Sequence, residues 1–398
     1  MQTKRRKLVF SGGGALAAQF LQIRQASAKN QSALIAFSGE INHPTSLSDD
    51  AIIIGIKLAL EDLELSQKTK SLSFELITLN DNSIPARGIA NLRALAKKEN
   101  LVGVFGGKFS PNVLEMSLEA RNLRIPIFAP WSAADAITAD PKMTPYTFRL
   151  SMRDSWAIAA IFNRAKKRNF SKLGLLIPNN GWGRSCEAAA RQKIDMTPPA
   201  EKPELLIEHY QWADPTDLLP HYKTLIQRGI ECLILVANES ETGFLAYEII
   251  KNKLATPPII SHWGITGGDS IRLSEGALMK LDLEFVQTFN FNRSSSTTSN
   301  LIANRAEKIL KIDNIRAFPS QTGIANAYDL MMMIGLAVSN IDKISSEAVT
   351  SALKNIKQHH GLIRTYIRPF AGKTQDALSP NDLFFCRFSR NGEIIPTS

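Results

Sequence analysis

From residue 33 onward the chain alternates between short apolar runs and longer stretches with helical periodicity. The apolar runs, each of strand length, are SALIAF, SFELITL, LVGVF, IPIFA, KLGLLI, ELLIEH, CLILV and PPIISH. The helical stretches lie at 48–64, 84–98, 111–123, 153–168, 183–194, 216–228 and 240–252. Continuous apolar strands that alternate with helices are typical of parallel sheets covered on both faces. The pattern therefore predicts an α/β protein with doubly wound parallel sheets.

The alternation restarts after residue 145, where YTFRLSMRDSWAIAA predicts a short strand that leads into a long helix. One sheet does not comfortably hold all these strands, so the restart indicates a second sheet. After about residue 290 the pattern is almost purely helical, at 296–310, 319–340 and 345–356. It ends with two strand-like runs, GLIRTYI and LFFCRF. We expect the chain to return to the first lobe and then to the second.

Two strand-end loops combine an aromatic or hydroxyl side chain with a predicted helix start. In FAPWSAADAI (128–137) a buried strand is followed by Trp131, and Ser132 and Asp135 have capping-box spacing. Ser110-Pro111 predicts a second helix start, with a capping serine before proline. Helix starts leave N–H groups unpaired and carry partial positive charge, which suits an anion. Trp131 either packs beneath the next loop or faces a ligand there.

The positive charge of the chain is concentrated at its amino end. The net charge is +10 over 398 residues, with 44% apolar and 21% charged residues, values of a globular protein that is long enough for two domains. Five positive charges and no acid occur in residues 1–28: Lys4, Arg5, Arg6, Lys7 and Arg24. The remainder lacks a dense Lys/Arg stripe, so nucleic acid is not expected as a partner.

Residues 1–28 have the three parts of an export signal. MQTKRRK is the basic start, LVFSGGGALAAQFL is a weakly apolar middle, and ASA at 26–28 is a small-x-small cleavage site. The arginine pair at 5–6, followed by KLV, resembles a twin-arginine signal. Lys4 replaces the usual Ser or Thr before the pair, so the general secretory route stays open, and a disordered basic arm is a further alternative. We exclude these residues from the fold.

The rest of the chain predicts a soluble periplasmic protein. No later stretch reaches the roughly 18 apolar residues of a membrane span. No cysteine precedes Cys186, so the amino end has no site for a lipid anchor. We expect Cys186, Cys232 and Cys386 to be three buried thiols, with one disulfide and one free thiol as the alternative.

The sequence lacks the motifs of the common enzyme classes. Its six histidines form no H-E-x-x-H motif, and its cysteines have no paired metal-ligand spacing. GKT at 372–374 lacks the glycine of a phosphate loop, because Ile367 stands five residues before Gly372. Neither G-x-S-x-G nor G-x-G-x-x-G occurs. We predict no catalytic activity, no metal and no cofactor.

Several segments, taken in order, resemble a known family. VFGGKFSPNVLEMS, RIPIFAPWSAAD, TPYTFRLSMRDSWAIAAI and KLGLLIPNNGWGRS are similar to type I periplasmic solute-binding proteins, in particular the branched-chain-amino-acid-binding branch that serves ABC importers. PPIISHWGITGGD, LEFVQTFNF, TGIANAYDLMMMIGLA and GLIRTYIRPF fit the same branch. The resemblance covers about residues 33–396.

The resemblance implies a clamshell of two lobes joined by three crossover strands, near 148–151, 288–292 and 361–365. The first lobe would comprise 29–149 with 291–362, and the second 150–290 with 363–398. A solute would bind in the cleft and the lobes would close on it. The closed form would then present a new surface to the membrane permease.

The resemblance carries over unevenly to the binding residues. It implies that loops 107–110 and 131–133 hold a solute carboxylate through hydroxyl and backbone N–H groups. Ser110 and Ser132 keep hydroxyls, while Ala133 stands where amino-acid binders often have threonine. The resemblance also implies an acidic residue that holds the α-ammonium group of an amino acid. The equivalent position in this chain is Trp263, whose indole cannot hold an ammonium group. Glu239 or Glu241 is a substitute, although a solvated helix face is the other interpretation of both.

Trp131, Trp182 and Trp263 each follow a predicted strand and are expected to line the cleft between the lobes. The alternative is that each of them packs separately in a core. Trp182 stands where members of the resembled family often have an aromatic residue that covers the ligand. Burial of each ring contributes about 1.5–3 kcal/mol to the binding free energy through its area alone. Trp156 and Trp212 are expected to pack within the second lobe. The candidate ligand-binding residues are Lys108, Phe109, Ser110, Trp131, Ser132, Ala133, Trp182, Asn238, Glu239 and Trp263.

These observations predict a monomeric periplasmic receptor that passes a small carboxylate-bearing apolar or aromatic solute, an amino acid or a related acid, to the permease of an ABC importer. A sensory module that signals to a membrane receptor is the alternative, since it uses the same closure. An enzyme on this scaffold is disfavoured by the missing motifs.

Overall fold

A computed structural model describes residues 31–69, 71–294, 296–372 and 374–397. The export signal predicted at 1–28 lies outside these ranges. The elements are labelled in chain order.

The first sheet has five parallel strands in the order β2-β1-β3-β4-β5. Its strands are short and almost continuously apolar, as expected of a sheet covered on both faces. We call this sheet, with the helices packed on it, the first lobe. Its elements up to residue 149 are β1 (Gln31–Gly39), α1 (Ser48–Leu65), β2 (Leu72–Asn80), α2 (Pro85–Leu95), β3 (Leu101–Gly106), α3 (Ser110–Leu123), β4 (Ile127–Ala129) and β5 (Thr147–Arg149).

The second sheet has seven strands in the order β14-β13-β10-β9-β8-β6-β7, and with its helices it forms the second lobe. Strands β6 to β10 are parallel, while β13 and β14 are antiparallel additions at one edge. Its elements are α4 (Asp154–Lys167), β6 (Lys172–Pro178), α5 (Gly181–Asp195), β7 (Glu204–Tyr210), α6 (Leu218–Gln227), β8 (Cys232–Leu235), α7 (Glu239–Lys251), β9 (Ile259–Ser261), α8 (Ser270–Leu273), β10 (Leu283–Gln287), β13 (Phe384–Phe388) and β14 (Ile394–Pro396).

The segment between β10 and β13 returns to the first lobe. It contains α9 (Thr297–Leu310), α10 (Gln321–Val338), α11 (Ser346–Lys354) and a hairpin of β11 (Gln358–His360) and β12 (Thr365–Ile367). Helix α10 lies along α1, and both contribute to the largest apolar core. Arg305 of α9 donates to Asp62 of α1 at 2.6 Å. The chain therefore passes between the lobes three times, and the two-lobed α/β clamshell is confirmed; the lobe limits given above stay a prediction.

The predicted helices are present within a few residues of their expected limits, but the loop after β4 differs from the prediction. No helix starts at Ser132, where only a single 3₁₀ turn at Asp135–Ile137 follows. The predicted capping box is also wrong. The Ser132 hydroxyl donates to the carbonyl of Gly107, and the Asp135 carboxylate accepts from the Ser155 hydroxyl.

The predicted cap at Ser110 is also wrong. Phe109 is the N-cap residue of α3, and the Ser110 hydroxyl accepts from the backbone of Ala133 and Ala134. The strand predicted at GLIRTYI is shortened to β12, because residues 361–364 form the turn of a hairpin with β11.

The three cysteines are free and buried, as expected. Cys186 and Cys232 belong to one apolar cluster of the second lobe, and Cys386 belongs to another. None of the helices within the described ranges combines the length and hydropathy that a membrane span requires.

Candidate functional site

The carboxyl ends of the parallel strands of both lobes face each other across a small cavity. Loops after β3 and β4 supply one wall, and loops after β6, β8 and β9 supply the other, as expected for open α/β sheets. Its volume is about 20 Å³, room for about one water molecule. The lining residues are Lys108, Phe109, Ser110, Pro111, Trp131, Ala133, Asn180, Trp182, Asn238, Trp263 and Gly264.

The three tryptophans predicted at strand-end loops meet at this cavity. Trp131 of the first lobe and Trp263 of the second lie with their ring centroids 5.2 Å apart and their planes at 34°. Trp182 closes the cavity from α5 and is 8% exposed. Because the Trp131 and Trp263 rings are already in contact, a solute larger than water enters only when these rings or the lobes move apart.

Buried polar groups of the second lobe contact the Trp182 side chain and fix its orientation. Its Nε1 donates to Asp154 Oδ1 at 3.1 Å, and its ring packs edge-on against His262, centroid to centroid 5.3 Å. The backbone N–H of Trp263 donates to His262 Nδ1, which places the imidazole proton on Nε2. That Nε2 lies 3.2 Å from Asp154 Oδ1 without a well-directed hydrogen bond. The orientation of Trp182 is thus fixed within the second lobe.

Asp154, His262 and Cys186 also bring an oxygen, a nitrogen and a sulfur ligand atom within 4.8 Å of one another. Metal binding requires a thiolate at Cys186. Burial, and then the neighbouring Asp154 carboxylate, raise the pKa of that thiol well above its usual range. All three residues pack around Trp182: Asp154 accepts from its Nε1, His262 contacts its ring, and Cys186 belongs to the same apolar cluster.

The hydroxyls expected to bind a carboxylate connect the two loops of the first lobe. Ser132 donates to the Gly107 carbonyl at 2.8 Å and to the Lys108 carbonyl at 3.2 Å. Ser110 accepts from the N–H groups of Ala133 and Ala134, both at 3.2 Å. Ser110 still lines the cavity, whereas the Ser132 hydroxyl is directed into the first lobe.

Arg149, fully buried at the end of β5, holds the same loop from the other side. Its Nη1 donates to the carbonyls of Ala133 and Ala134, at 3.2 and 2.9 Å. Its Nε donates to Asp376 at 2.7 Å. Burial would raise the pKa of Asp376, but Arg149 and Arg153 outweigh it and hold that pKa below its usual range. The loop that carries Trp131 is therefore rigidly bonded.

The predicted acids Glu239 and Glu241 are both buried, at 3% and 4% exposure, so the solvated-face interpretation is wrong. Both Glu239 oxygens accept from the Lys108 ammonium, at 2.8 and 2.9 Å, across the two lobes. Burial, and then the nearby Glu239, raise the pKa of Glu241 to about 7. The sequence predicts both acids at the start of a helix, here α7, but it contains no local signal that Lys108 neutralises Glu239.

Helix starts give the cavity wall partial positive charge, while the charge of Lys108 is neutralised by Glu239. Three long helices, α3, α5 and α7, begin at its wall, and each start carries partial positive charge. Lys108 is the single ionic side chain among the residues that line it. Such an arrangement attracts an anion and binds it through backbone N–H groups.

Two contributors, Asn180 and Gly264, were not singled out from the sequence, and Trp212 packs differently from its prediction. Asn180 caps α5 and lines the cavity, and an Asn one residue before a Gly-Trp helix start is a recognisable signal. Gly264 leaves room for Trp182, because a Cβ there would lie 2.6 Å from its ring. Trp212, expected to pack within the second lobe, instead contacts Phe109 of the first lobe edge-on at 5.2 Å.

The fold, two doubly wound sheets that meet at an interlobe cavity, is shared with solved leucine- and branched-chain-amino-acid-binding proteins. Residues 34–218 match the family model of the periplasmic binding proteins, and a solved type I periplasmic binding protein of Bordetella pertussis covers 92% of the chain with the same fold. The family and its structural neighbours are solute-binding proteins rather than enzymes, in agreement with the prediction.

Solved structures of the same fold come from several bacteria. They include the leucine-binding protein LivK of Thermotoga maritima (TM-score 0.77, 13% identity, 92% of this chain and 98% of that one). LivJ of Streptococcus pneumoniae, in complex with isoleucine, has a TM-score of 0.76 and 16% identity (92% and 100%). A solute-binding protein of R. palustris, in complex with 4-hydroxybenzoate, has a TM-score of 0.74 and 16% identity (92% and 96%).

The two Liv proteins support the resemblance to the branched-chain branch at the level of the fold. No protein of curated function matches the chain in sequence.

Proposed function

We propose that this protein is a periplasmic receptor that delivers a small carboxylate-bearing solute with an aromatic or apolar body to an ABC importer. The observation that carries the proposal is the cavity between the lobes, where Trp131, Trp182 and Trp263 meet the starts of three helices. Lys108, Phe109, Ser110, Ala133 and Asn238, which line the same cavity, would contact the solute from its walls.

The walls suit both halves of such a solute. Indole rings bind an apolar or aromatic body through area burial and ring stacking, about 1.5–3 kcal/mol for each buried ring. The starts of α3, α5 and α7 orient N–H groups toward an acid group. In this proposal Ser132 does not contact the solute directly, because its hydroxyl donates to backbone carbonyls.

The solved relatives are consistent with this solute class. The R. palustris protein holds 4-hydroxybenzoate and the Streptococcus protein holds isoleucine, and both compounds combine a carboxylate with an apolar body. We extend to this chain what the two share, a carboxylate on an apolar or aromatic body.

Closure of the lobes would signal occupancy to the permease. The predicted export signal at 1–28 would bring the chain to the periplasm as a monomer, and the inner-membrane permease would recognise the closed form. A periplasmic sensor would use the same closure. Uptake of labelled solute by cells with and without the gene separates delivery from sensing, since a sensor leaves uptake unchanged.

The first experiment is native mass spectrometry of protein purified from its own periplasm, with release and identification of the retained compound. The proposal expects an aromatic or branched carboxylate. It is tested further by thermal shift with a panel of benzoates, phenylalkanoates, branched acids and amino acids. A panel in which no carboxylate raises the melting temperature contradicts the proposal.

A further inference from the structure

A buried ion pair closes the cleft beside the cavity. Lys108 follows β3 in the first lobe, and Glu239 is the first residue of α7 in the second. The Lys108 Nζ lies 2.8 and 2.9 Å from the two carboxylate oxygens of Glu239, and both side chains are 3% exposed. The third donor of the ammonium is bonded to the Ser46 hydroxyl at 2.6 Å. All three donors of Lys108 are therefore used.

The surroundings of this pair are built from backbone of both lobes. The Leu47 N–H donates to the Gly267 carbonyl at 2.7 Å, and Ser46 pairs with Gly268 in an antiparallel bridge. A Cβ at Gly267 would lie 2.4 Å from the Glu239 carboxylate and 3.2 Å from the Lys108 Nζ. A side chain at 267 would therefore displace the Glu239 carboxylate and disturb the ion pair.

The residues that line the cavity and the adjacent ion pair offer no unpaired carboxylate to a cationic group of a solute. Glu239 is paired with Lys108, and the lining residues of the cavity include no Asp or Glu. Burial, followed by Glu239, raises the pKa of Glu241 to about 7, so this acid resists ionisation. Asp49 has a pKa raised to about 7 by burial, and its carboxylate accepts the backbone N–H groups of Glu40 and Lys108.

We infer that Lys108 is a specificity-determining residue: its ammonium pairs with the cleft carboxylate that an ammonium-bearing solute would need, so the receptor selects carboxylates that lack an ammonium group. This inference rests on the proposed function and narrows its substrate class to des-amino acids. An amino acid would have to bury its ammonium without a carboxylate partner, which is costly.

Matched pairs of probes test the inference directly. 3-Phenylpropanoate differs from L-phenylalanine, and 4-methylpentanoate from L-leucine, only by the absence of the α-ammonium group. Calorimetric titration of the wild-type protein is expected to show at least about tenfold tighter binding of the des-amino member of one pair. Equal or tighter binding of the amino acid overturns the inference and leaves the proposed function standing. No binding of any member also overturns the inference, and the carboxylate panel described above then decides the proposed function.

Variants of Lys108 and Glu239 test whether the ion pair is the source of the selectivity against amino acids. Lys108→Met exposes the Glu239 carboxylate to the cleft and is expected to shift the affinity ratio toward the amino acid by about tenfold. Lys108→Met/Glu239→Gln removes that carboxylate and is expected to abolish the gain. Lys167→Met, at an exposed position of α4, is the control and keeps the wild-type ratio. An unchanged ratio in a folded Lys108→Met protein contradicts the inference, and the wild-type ratio still decides it if that variant does not fold.

Discussion

At the residue scale, polar side chains around the cavity bond mainly to the protein itself. The Ser110 and Ser132 hydroxyls tie the loops after β3 and β4 together, and Arg149 bonds the carbonyls of the second loop. Glu239 neutralises Lys108. The cavity is therefore presented by rigid loops, with indole rings and helix starts left to face a solute.

Ser110→Ala is expected to destabilise the protein by about 2 kcal/mol, because two buried N–H groups, of Ala133 and Ala134, lose their acceptor. Ser117→Ala is the matched control. Ser117 is equally buried in the same helix, but its hydroxyl only donates to the Val113 carbonyl of that helix. Its loss is expected to cost less than about 1 kcal/mol. Urea unfolding measures both, and equal effects would show that the Ser110 bonds are energetically unimportant.

The buried acid Glu241 predicts a stability that falls as the pH rises. Burial and Glu239 raise its pKa from the ordinary 4.5 to about 7 in the folded protein. The folded state therefore binds the proton more tightly than the unfolded state, and stability is lost as the pH rises from about 4.5 through about 7. The loss amounts to roughly 3 kcal/mol for this group. Asp49, raised to about 7, acts in the same direction.

Glu241→Gln mimics the protonated form and separates this contribution. Its free energy of unfolding is expected to exceed that of the wild type at pH 8 and to equal it near pH 4.5. Urea unfolding at the two pH values measures the difference. A constant difference between the two proteins at both pH values would contradict the assigned pKa.

At the element scale, the first lobe depends on the close packing of α1 and α10. A Cβ at Gly55 of α1 would lie 2.3 Å from the Ile324 carbonyl oxygen of α10, so glycine allows the two helix backbones to touch. Such contacts are fixed by backbone atoms, which cannot move aside as a side chain can.

Gly55→Ala is therefore expected to destabilise by roughly 2 kcal/mol, despite the better helix propensity of alanine. Gly88→Ala in α2 is the control. Its Cβ would meet the flexible Met116 side chain at 3.0 Å and Asp81 Oδ2 at an ordinary 3.5 Å, so the substitution is expected to be neutral or stabilising by up to about 1 kcal/mol. Thermal unfolding compares the two, and a stabilised Gly55→Ala protein would contradict the helix contact.

At the scale of the whole molecule, the two lobes meet through the ion pair, the backbone contacts at 45–47 and 267–268, and the Trp131–Trp263 stack. A Cβ at Gly268 would lie 2.0 Å from the Thr45 carbonyl oxygen, which belongs to the other lobe. A side chain at 268 is thus incompatible with this approach of the lobes.

Gly268→Ala is expected to hold the lobes apart, with a larger radius of gyration in X-ray scattering and at least about tenfold weaker solute binding. Gly372→Ala, where no atom would lie nearer than 3.7 Å, should match the wild type. Circular dichroism and the melting temperature check that each variant folds. A folded Gly268→Ala protein with wild-type scattering would show that the lobes close without this contact.

The hydrophobic pattern predicted most helices and strands because each element shows its period locally, as in the fully apolar CLILV of β8 and the start of α10 near residue 319. It failed at Ser132 and at 361–364, where local signals compete with bonds to distant residues. Ser132 has the sequence of a helix cap, yet its hydroxyl finds the carbonyls of Gly107 and Lys108. Local periodicity contains no information about such partners.

The sequence alone determined the α/β alternation, the two lobes and the strand-end position of the three tryptophans, because strand direction and loop order follow from local pattern. Tertiary structure decided which groups face the cavity and which are already bonded. Lys108 and Glu239 lie 131 residues apart in the chain, and only the approach of the two lobes makes them a pair. The same approach brings Trp131 against Trp263 and Trp212 against Phe109, since contacts across a cleft depend on how the two sheets are placed relative to each other.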